Sequence, residues 1–380
     1  MSRIQHRAIV SNTADRSAHE RIAYFTSLSR LQSGDVLCGY FVGSGKHSPD
    51  GTLRLSRSTD EGRTWSDVKA RFSSTVDATP GSLAGAEIVE TEPRRLLLFT
   101  TWFDRSNPDR PLFNPETEGI LRSKQLYAVS TDGGESWSDW STVPTPGLSG
   151  CATTGPIVSW PDGPFAYAFE SFKEYDDPAP PKHAAWIVTS VDGGRSFSAP
   201  LLIAQDPEHQ IYYWDQRLCR TSDDGGFAAM FWTHDRAQQK DLRVHFATGR
   251  VRDAQIEMGP INETPIQGQI AAPCLLADGR LAAFVVDRNR PATMKLWVSA
   301  DGGANWPEED SMVIYEHEER GAVTQGTDDV DFAQYWEDMG KWTFGHPAVC
   351  RLGENRLLLA WYAGTPEGTS IHAAVVLAES

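Results

Sequence analysis

Three Asp-Arg pairs, Asp104-Arg105, Asp235-Arg236 and Asp287-Arg288, each close a strongly apolar run. A carboxyl group in apolar company can serve as a general acid or base, and an arginine fork matches a planar anion bidentately. Each pair can equally be a salt bridge that only holds its own loop. Comparable run ends carry His47, in Gly43-Ser44-Gly45-Lys46-His47, then Glu170, in Phe169-Glu170-Ser171, and His234, next to Asp235. A second set stands where other apolar runs begin: Tyr213-Trp214-Asp215-Gln216-Arg217, Gln267-Gly268-Gln269 and Trp342-Thr343-Phe344-Gly345-His346-Pro347. Polar groups in such surroundings are uncommon as packing alone. The candidate acids and bases are therefore Asp104, Glu170, Asp235 and Asp287, with His47, His234 and His346. The candidate ligand contacts are Arg105, Arg236, Arg288, Tyr213, Trp214, Asp215, Arg217 and Gln269. Asp215 and Arg217 alternate to one side of a strand and can pair with each other, and His346 can be a satisfied structural histidine.

The elements that would position these residues repeat. Six segments read as an apolar strand, a polar turn and a very apolar strand: residues 25–41, 83–103, 153–169, 214–232, 270–286 and 345–362. Their turns, such as Ser33-Gly34-Asp35, Pro161-Asp162-Gly163 and Asp278-Gly279, have hairpin chemistry between β-rich flanks. A third strand follows in each unit. In the first, second, third and fifth units it runs into one shared pattern, Ser-x-Asp-x-Gly-x-(Thr/Ser/Asn)-(Trp/Phe), at residues 58–65, 130–137, 190–197 and 299–306. Asp can accept hydrogen bonds from backbone N–H groups just ahead of it, Gly supplies positive φ, and the aromatic ring packs the turn onto its sheet. The sixth unit ends one strand short, and the N-terminal run 4–10 can complete it and remove a free edge. These repeats predict an all-β chain: a six-bladed β-propeller with four-stranded blades, its last blade closed by the N-terminal strand, residues 1–380 forming one domain. Strand direction alternates within a blade. The hairpin turns and the shared pattern fall on one face. The starts of first strands and the ends of second strands fall on the other, where a ligand would bind.

The shared pattern resembles the Asp-box, or bacterial neuraminidase repeat, of the sialidase superfamily. That resemblance implies a propeller, and a site in which three arginines grip a substrate carboxylate, a Tyr–Glu pair supplies the nucleophile and an Asp acts as acid and base. The family's Arg-Ile-Pro motif is not matched: Ala23-Tyr24-Phe25-Thr26 stands there, with Tyr24 at the arginine position and Arg21 three residues earlier. The residues near the place of the family's aspartate are His47 and Asp50.

Bulk composition narrows the partners. The chain of 380 residues has 35 Lys and Arg against 51 Asp and Glu, a net charge of −16. Nucleic acids and anionic membranes attract basic faces, so neither is expected as a partner. Thirteen Trp and sixteen Phe suit a sheet-rich core and a carbohydrate-binding surface. The five cysteines have no metal-knuckle spacing and read as buried free thiols. The segment 307–341 carries many acids, among them Glu308, Asp328, Asp329, Asp331, Glu337 and Asp338, without an ordered calcium-loop pattern. It reads either as a lid or as a solvated loop. No phosphate-binding, dinucleotide or zinc-protease motif is present, so neither cofactor nor metal is expected. The N-terminus lacks an apolar signal core, which by default places such a chain in the cytoplasm.

The expected activity is cleavage of glycosides of an acidic sugar, by carboxyl groups with arginines as anion clamps. Two alternatives stay open. One is a lyase of uronate-containing glycans, in which His47, His234 or His346 acts with a tyrosine. The other is a glycan-binding propeller without catalysis.

Overall fold

A computed structural model describes residues 2–14, 16–252, 254–289, 291–317 and 340–379. The regular structure among them is strand, apart from short helical turns such as Ala18–Glu20 and Glu308–Asp310. No helix among these residues is long and apolar enough to cross a membrane.

The strands form five sheets, with neighbours in sequence paired antiparallel. One runs Gly81–Glu92, Arg95–Asp104, Ser123–Ser130, Ser141–Thr142, and another runs Ala271–Leu275, Leu281–Asp287, Thr293–Ser299, Met312–Glu316. Two more are built around Phe165–Ser171 and Gly226–Asp235. The fifth holds two such runs, the group beginning Ile22–Arg30 and the group beginning Phe344–Gly353, joined by one parallel pair, Ile22 with Thr369. The N-terminal strand Arg3–Ser11 pairs antiparallel with Gly368–Leu377.

The second strand of several runs is buried on both faces. Val36–Gly43, Phe165–Ser171 and Gly226–Asp235 have no exposed residue, which accounts for their nearly unbroken apolar sequence. The cores lie between successive runs. Leu37 and Leu55 pack with Leu83 and Leu98, and Leu97 and Phe99 with Phe165 and Tyr167. Ala168 and Ile187 pack with Phe227 and Phe231, and Met230 with Ala283 and Val285. Phe284 and Leu296 pack with Leu359 and Trp361, and Leu358 and Ala360 return to Cys38 and Tyr40.

The four shared turns have one hydrogen-bond scheme at their Asp and Ser, and the three that end in Trp add a ring N–H bond. In the first, Asp60 Oδ1 accepts from the N–H groups of Arg63 and Thr64, at 3.1 and 2.8 Å, and Ser58 Oγ accepts from Gly62 N at 2.8 Å. Trp65 Nε1 donates to Gly62 O at 3.0 Å and so folds its ring over the turn. Asp132, Asp192 and Asp301 repeat the acceptor role, and these bonds hold each carboxyl well below the usual carboxylate range. At Gly62, φ is +84° and a side chain would run into Leu358 of the last run, so the turn also seats one run on its neighbour.

One expected strand is broken. The first strand of the third unit exists only as Cys151–Thr153 and Val158–Ser159. Between them Pro156 cannot donate to a ladder, and Gly155 lies against Gln216 O and the Arg217 side chain. Of the acidic segment, Met312–Glu316 is a strand, while Asp328, Asp329, Asp331, Glu337 and Asp338 lie outside the described residues.

Candidate active site

The first strands of four runs share an irregularity. Pairing shifts register between Tyr24 and Ser27, Ala84 and Glu87, Trp214 and Arg217, and Gly345 and Ala348. At each shift one residue has positive φ: Phe25 at 54°, Gly85 at 78°, Asp215 at 46° and His346 at 52°. Such a bulge re-aims a side chain that regular pleating would send into the sheet. Three of these residues, Phe25, Asp215 and His346, line one small cavity. Lys46 and His47, just past Val36–Gly43, and Arg288, just past Leu281–Asp287, complete its polar lining. Tyr24, Trp232, Trp342 and Tyr362 supply aromatic walls. The cavity measures about 30 Å³. A second, of about 60 Å³, shares Phe25, His47 and Asp215 with it and adds Glu170, Thr101 and Thr153. Leu112, Phe113 and Ile120 roof the second cavity and pack on Phe172.

Two arginines sit at the centre, each 1% exposed. Arg217 Nη2 lies 3.3 Å from Asp215 Oδ1 and 2.8 Å from His346 Nε2. A guanidinium only donates, so His346 Nε2 accepts, and its proton sits on Nδ1, which donates to Thr26 O at 3.2 Å. Burial, then Arg217, drives His346 well below the ordinary histidine range and keeps it neutral. Arg288 donates to Gln269 Oε1 at 3.3 Å and to Phe344 O at 3.0 Å, and lies 3.9 Å from the Trp342 ring centroid. Gly345 makes its room: φ there is +137°, and a side chain would collide with the guanidinium.

Asp215 is the central carboxyl. Burial raises it to about 7; Arg217 opposes that rise and Glu170 adds to it. Its backbone N–H donates to Glu170 Oε1 at 3.2 Å, and the other oxygen of Glu170 accepts from His183 Nε2 at 2.5 Å. His183 is buried. Lys46 Nζ donates to Tyr362 OH at 2.6 Å and stands 4.5 Å from that ring's centroid. Burial, reinforced by Arg288, drives its amine well below the usual lysine range. His47 is lowered to about 3, first by burial and then by Lys46 and Arg105.

The cavities thus bring together Glu170, His47, Asp215, Arg288 and His346, with Arg217 and Gln269 directly behind. The other sequence candidates stand elsewhere. The aspartates of the three Asp-Arg pairs close their own loops: Asp104 accepts from Ser106 N at 2.8 Å, Asp235 from Gln238 N at 3.0 Å and Asp287 from Asn289 N at 2.9 Å. These short-range bonds mark turns at strand ends. Arg105 donates to His47 O at 2.6 Å and Ser82 Oγ at 2.9 Å, so it fixes His47 from behind. Arg236 Nη2 donates to both carboxylate oxygens of Glu118, at 3.2 and 2.9 Å. His234 lies against Trp214 and donates to Asp241 at 3.0 Å, and Tyr213 packs on Phe231. Lys46, Tyr362 and His183 are not among the sequence candidates. Lys46 has a signal, its place beside His47 at a strand end. His183 has none, since only the fold shows that it meets Glu170.

No family model matches the sequence, and no curated protein matches it. Solved structures do. A protein of unknown function from Dyadobacter fermentans superposes with a TM-score of 0.71 at 16% identity, over 100% of this chain and 99% of that one. A Hadza microbial sialidase gives 0.66 at 15% identity, over 97% of this chain and 68% of that one. The α-L-arabinanase of Penicillium chrysogenum, solved with arabinobiose, gives 0.61 at 11% identity, over 99% and 98%. At such identities the likeness is one of fold, and the chain has the β-propeller fold of these glycosidases.

Proposed function

We propose that this protein is a glycoside hydrolase acting on an acidic sugar, built on six four-stranded blades with Arg3–Ser11 as the closing strand. The blade reading rests on the core clusters, which link each run to the next and the last to the first, and on Arg3–Ser11 pairing with Gly368–Leu377. The four hydrogen-bonded turns are then its Asp-boxes. The observation that carries the activity is the place of Asp215, a buried carboxyl that burial raises to about 7, in a cavity bearing Arg288 and Lys46 and against Glu170. A protonated carboxyl is what a leaving glycosidic oxygen requires, and the second carboxyl, Glu170, touches the same residue. In this reading Asp215 is the general acid, Glu170 the base or nucleophile, Arg288 with Lys46 the clamp for the sugar's carboxylate, and Trp342 and Trp232 its apolar wall.

The cavities of about 30 and 60 Å³ are far below the roughly 300–1,000 Å³ of ligand pockets, so the roof formed by residues 105–122 swings aside when substrate enters. A panel of nitrophenyl glycosides of sialic acid, glucuronic acid and neutral sugars tests the assignment. Release from an acidic member, lost by at least about a hundredfold in Asp215→Asn, is the expected result. Cleavage of neutral members alone, or full activity in the variant, sinks it.

A second reading is favoured by His47. It is neutral down to about pH 3, lines both cavities and lies edge-on to Tyr24 at 5.5 Å between ring centroids. A neutral imidazole beside a phenol suits removal of the proton alpha to a carboxylate. Polyuronate incubated with the protein would then gain ultraviolet absorbance from an unsaturated product, and hydrolysis would not produce it.

A further inference from the structure

Two carboxyl groups, Glu170 and Asp215, meet at the second cavity, and the charge of Glu170 bears on Asp215. Like charges so near each other do not both form readily, so one group of such a pair keeps a proton. We propose that His183 decides which one: by donating to Glu170 it holds that group as the carboxylate and leaves the proton on Asp215. The inference deepens the hydrolase reading and rests on it for the roles of acid and base, though not for where the proton sits.

The cations around the pair favour the opposite arrangement. Arg217 Nη2 lies 3.3 Å from Asp215 Oδ1, and Arg288 lines the first cavity together with Asp215. Both favour an ionised Asp215. Of the other groups that face this cavity, His47 and His346 are neutral, and Lys46 Nζ donates to Tyr362 OH at 2.6 Å. Glu170 is held at both oxygens by other donors: Oε1 by Asp215 N at 3.2 Å and Oε2 by His183 Nε2 at 2.5 Å. A donor to an ionised carboxyl stabilises that form, and His183 is the side chain placed to do so. It cannot turn to water instead. Its side chain is 2% exposed, and its ring lies between those of Phe172 and Tyr212, at 5.2 and 5.1 Å between centroids. His183 is thus a positioning residue, acting on Asp215 through Glu170.

Protein isotopically labelled at its aspartate carboxyl carbons reports the proton by NMR. The Asp215 signal is the one lost in Asp215→Asn, and its midpoint in the parent should lie near 7. In His183→Leu that midpoint should fall by at least about one pH unit as the proton passes to Glu170, whereas His183→Gln, which keeps an N–H at similar reach, should stay within about half a unit. On an acidic nitrophenyl glycoside, His183→Leu should lose at least about tenfold in kcat with KM within about threefold, and His183→Gln should recover most of that loss. Melting temperatures show that each variant is folded. A midpoint that stays put in folded His183→Leu, or moves equally in both variants, overturns the proposal. Glu170→Gln tests the same assignment with the histidine in place. Neutralising a carboxylate lowers the Asp215 midpoint, and an unchanged midpoint means that Glu170 was not the charged partner. If the midpoints move as expected while the parent cleaves no acidic glycoside, the role of His183 stands and the hydrolase reading fails.

Discussion

Arg217 donates to His346 Nε2 at 2.8 Å, joining residues 129 positions apart in sequence and fixing which nitrogen of the imidazole carries the proton. Both groups are buried, so neither can turn to water instead. The bond occupies the lone pair that a general base would need, which gives His346 a positioning role for Arg217 and, through it, Asp215. A variant that keeps an acceptor should therefore be mild. His346→Gln is expected to cost about 1 kcal/mol, and His346→Leu about 3 kcal/mol or more, because the latter leaves a buried guanidinium N–H without a partner. Urea unfolding of the two variants measures the difference. Equal losses would remove the hydrogen bond as the cause.

Asp215 makes the protein sensitive to pH in a direction that can be worked out. Its folded value, about 7, lies above the ordinary aspartate value, so folding favours the protonated form. That contribution is complete below about pH 4 and disappears as the pH rises through 7. Asp215→Asn cannot titrate. Between pH 5 and 8 the parent should lose more stability than the variant, and thermal melts across that window give the comparison. Glu87, buried and also raised to about 7, titrates in both proteins and cancels from the difference. Activity should decline above about pH 7 as the acid loses its proton. A parent and a variant with parallel melting curves would place the proton elsewhere.

Among the ties that hold the roof, such as Ile120 N to Lys173 O and Asn114 Nδ2 to Tyr175 O, one is revealed by no local sequence pattern. Glu118, at the roof's far end, accepts from Arg236 Nη2 with both carboxylate oxygens, and the two side chains are each 24% exposed. Glu118→Gln weakens this tie while keeping the shape of the side chain. If the roof limits entry, the variant should bind the acidic sugar with a faster on-rate and nearly unchanged stability, since a partly exposed ion pair contributes about 1 kcal/mol or less. Stopped-flow binding against the parent decides it: an unchanged on-rate means that the roof opens without breaking this pair.

The sequence is most readable where physics is local. Turn chemistry at residues 58–65 and its repeats, together with the doubly buried second strands, is plain because each depends on neighbours in the chain. Asp215 and His346 are visible as polar residues in aromatic company. What alternation cannot show is the bulge at Trp214-Asp215-Gln216, which turns the side chain toward the cavity while preserving the strand. The Asp-Arg pairs mislead for a related reason. Adjacent residues of an extended chain point to opposite faces, so each aspartate closes its loop while its arginine reaches elsewhere: Arg105 to His47, Arg236 to Glu118 and Arg288 to the cavity. His183 is unreadable because its partner, Glu170, lies near the end of Phe165–Ser171 and meets it only when that strand pairs with Ala184–Ser190.

The N-terminal strand gives the strictest test of the six-blade reading. Arg3–Ser11 runs beside Gly368–Leu377 along nearly its whole length, in a register with shifts at Ile4/His6 and Ile9/Ser11. Arg7 reaches across to Ile314 O at 2.8 Å, and Thr13 Oγ1 donates to Thr369 O at 2.7 Å. Removing residues 1–11 would uncover the outer edge of Gly368–Leu377, whose apolar residues Ala373, Ala374, Val375 and Val376 are all buried in the intact chain. An apolar strand edge of that kind invites pairing with another molecule. The truncated protein should melt well below the parent and aggregate at concentrations where the parent stays monodisperse. Supplying residues 1–13 as a separate peptide should restore part of the melting temperature, because the peptide can occupy the vacant edge. A truncated chain that stays soluble, melts like the parent and ignores the peptide would show that the strand is an accessory rather than the closing element.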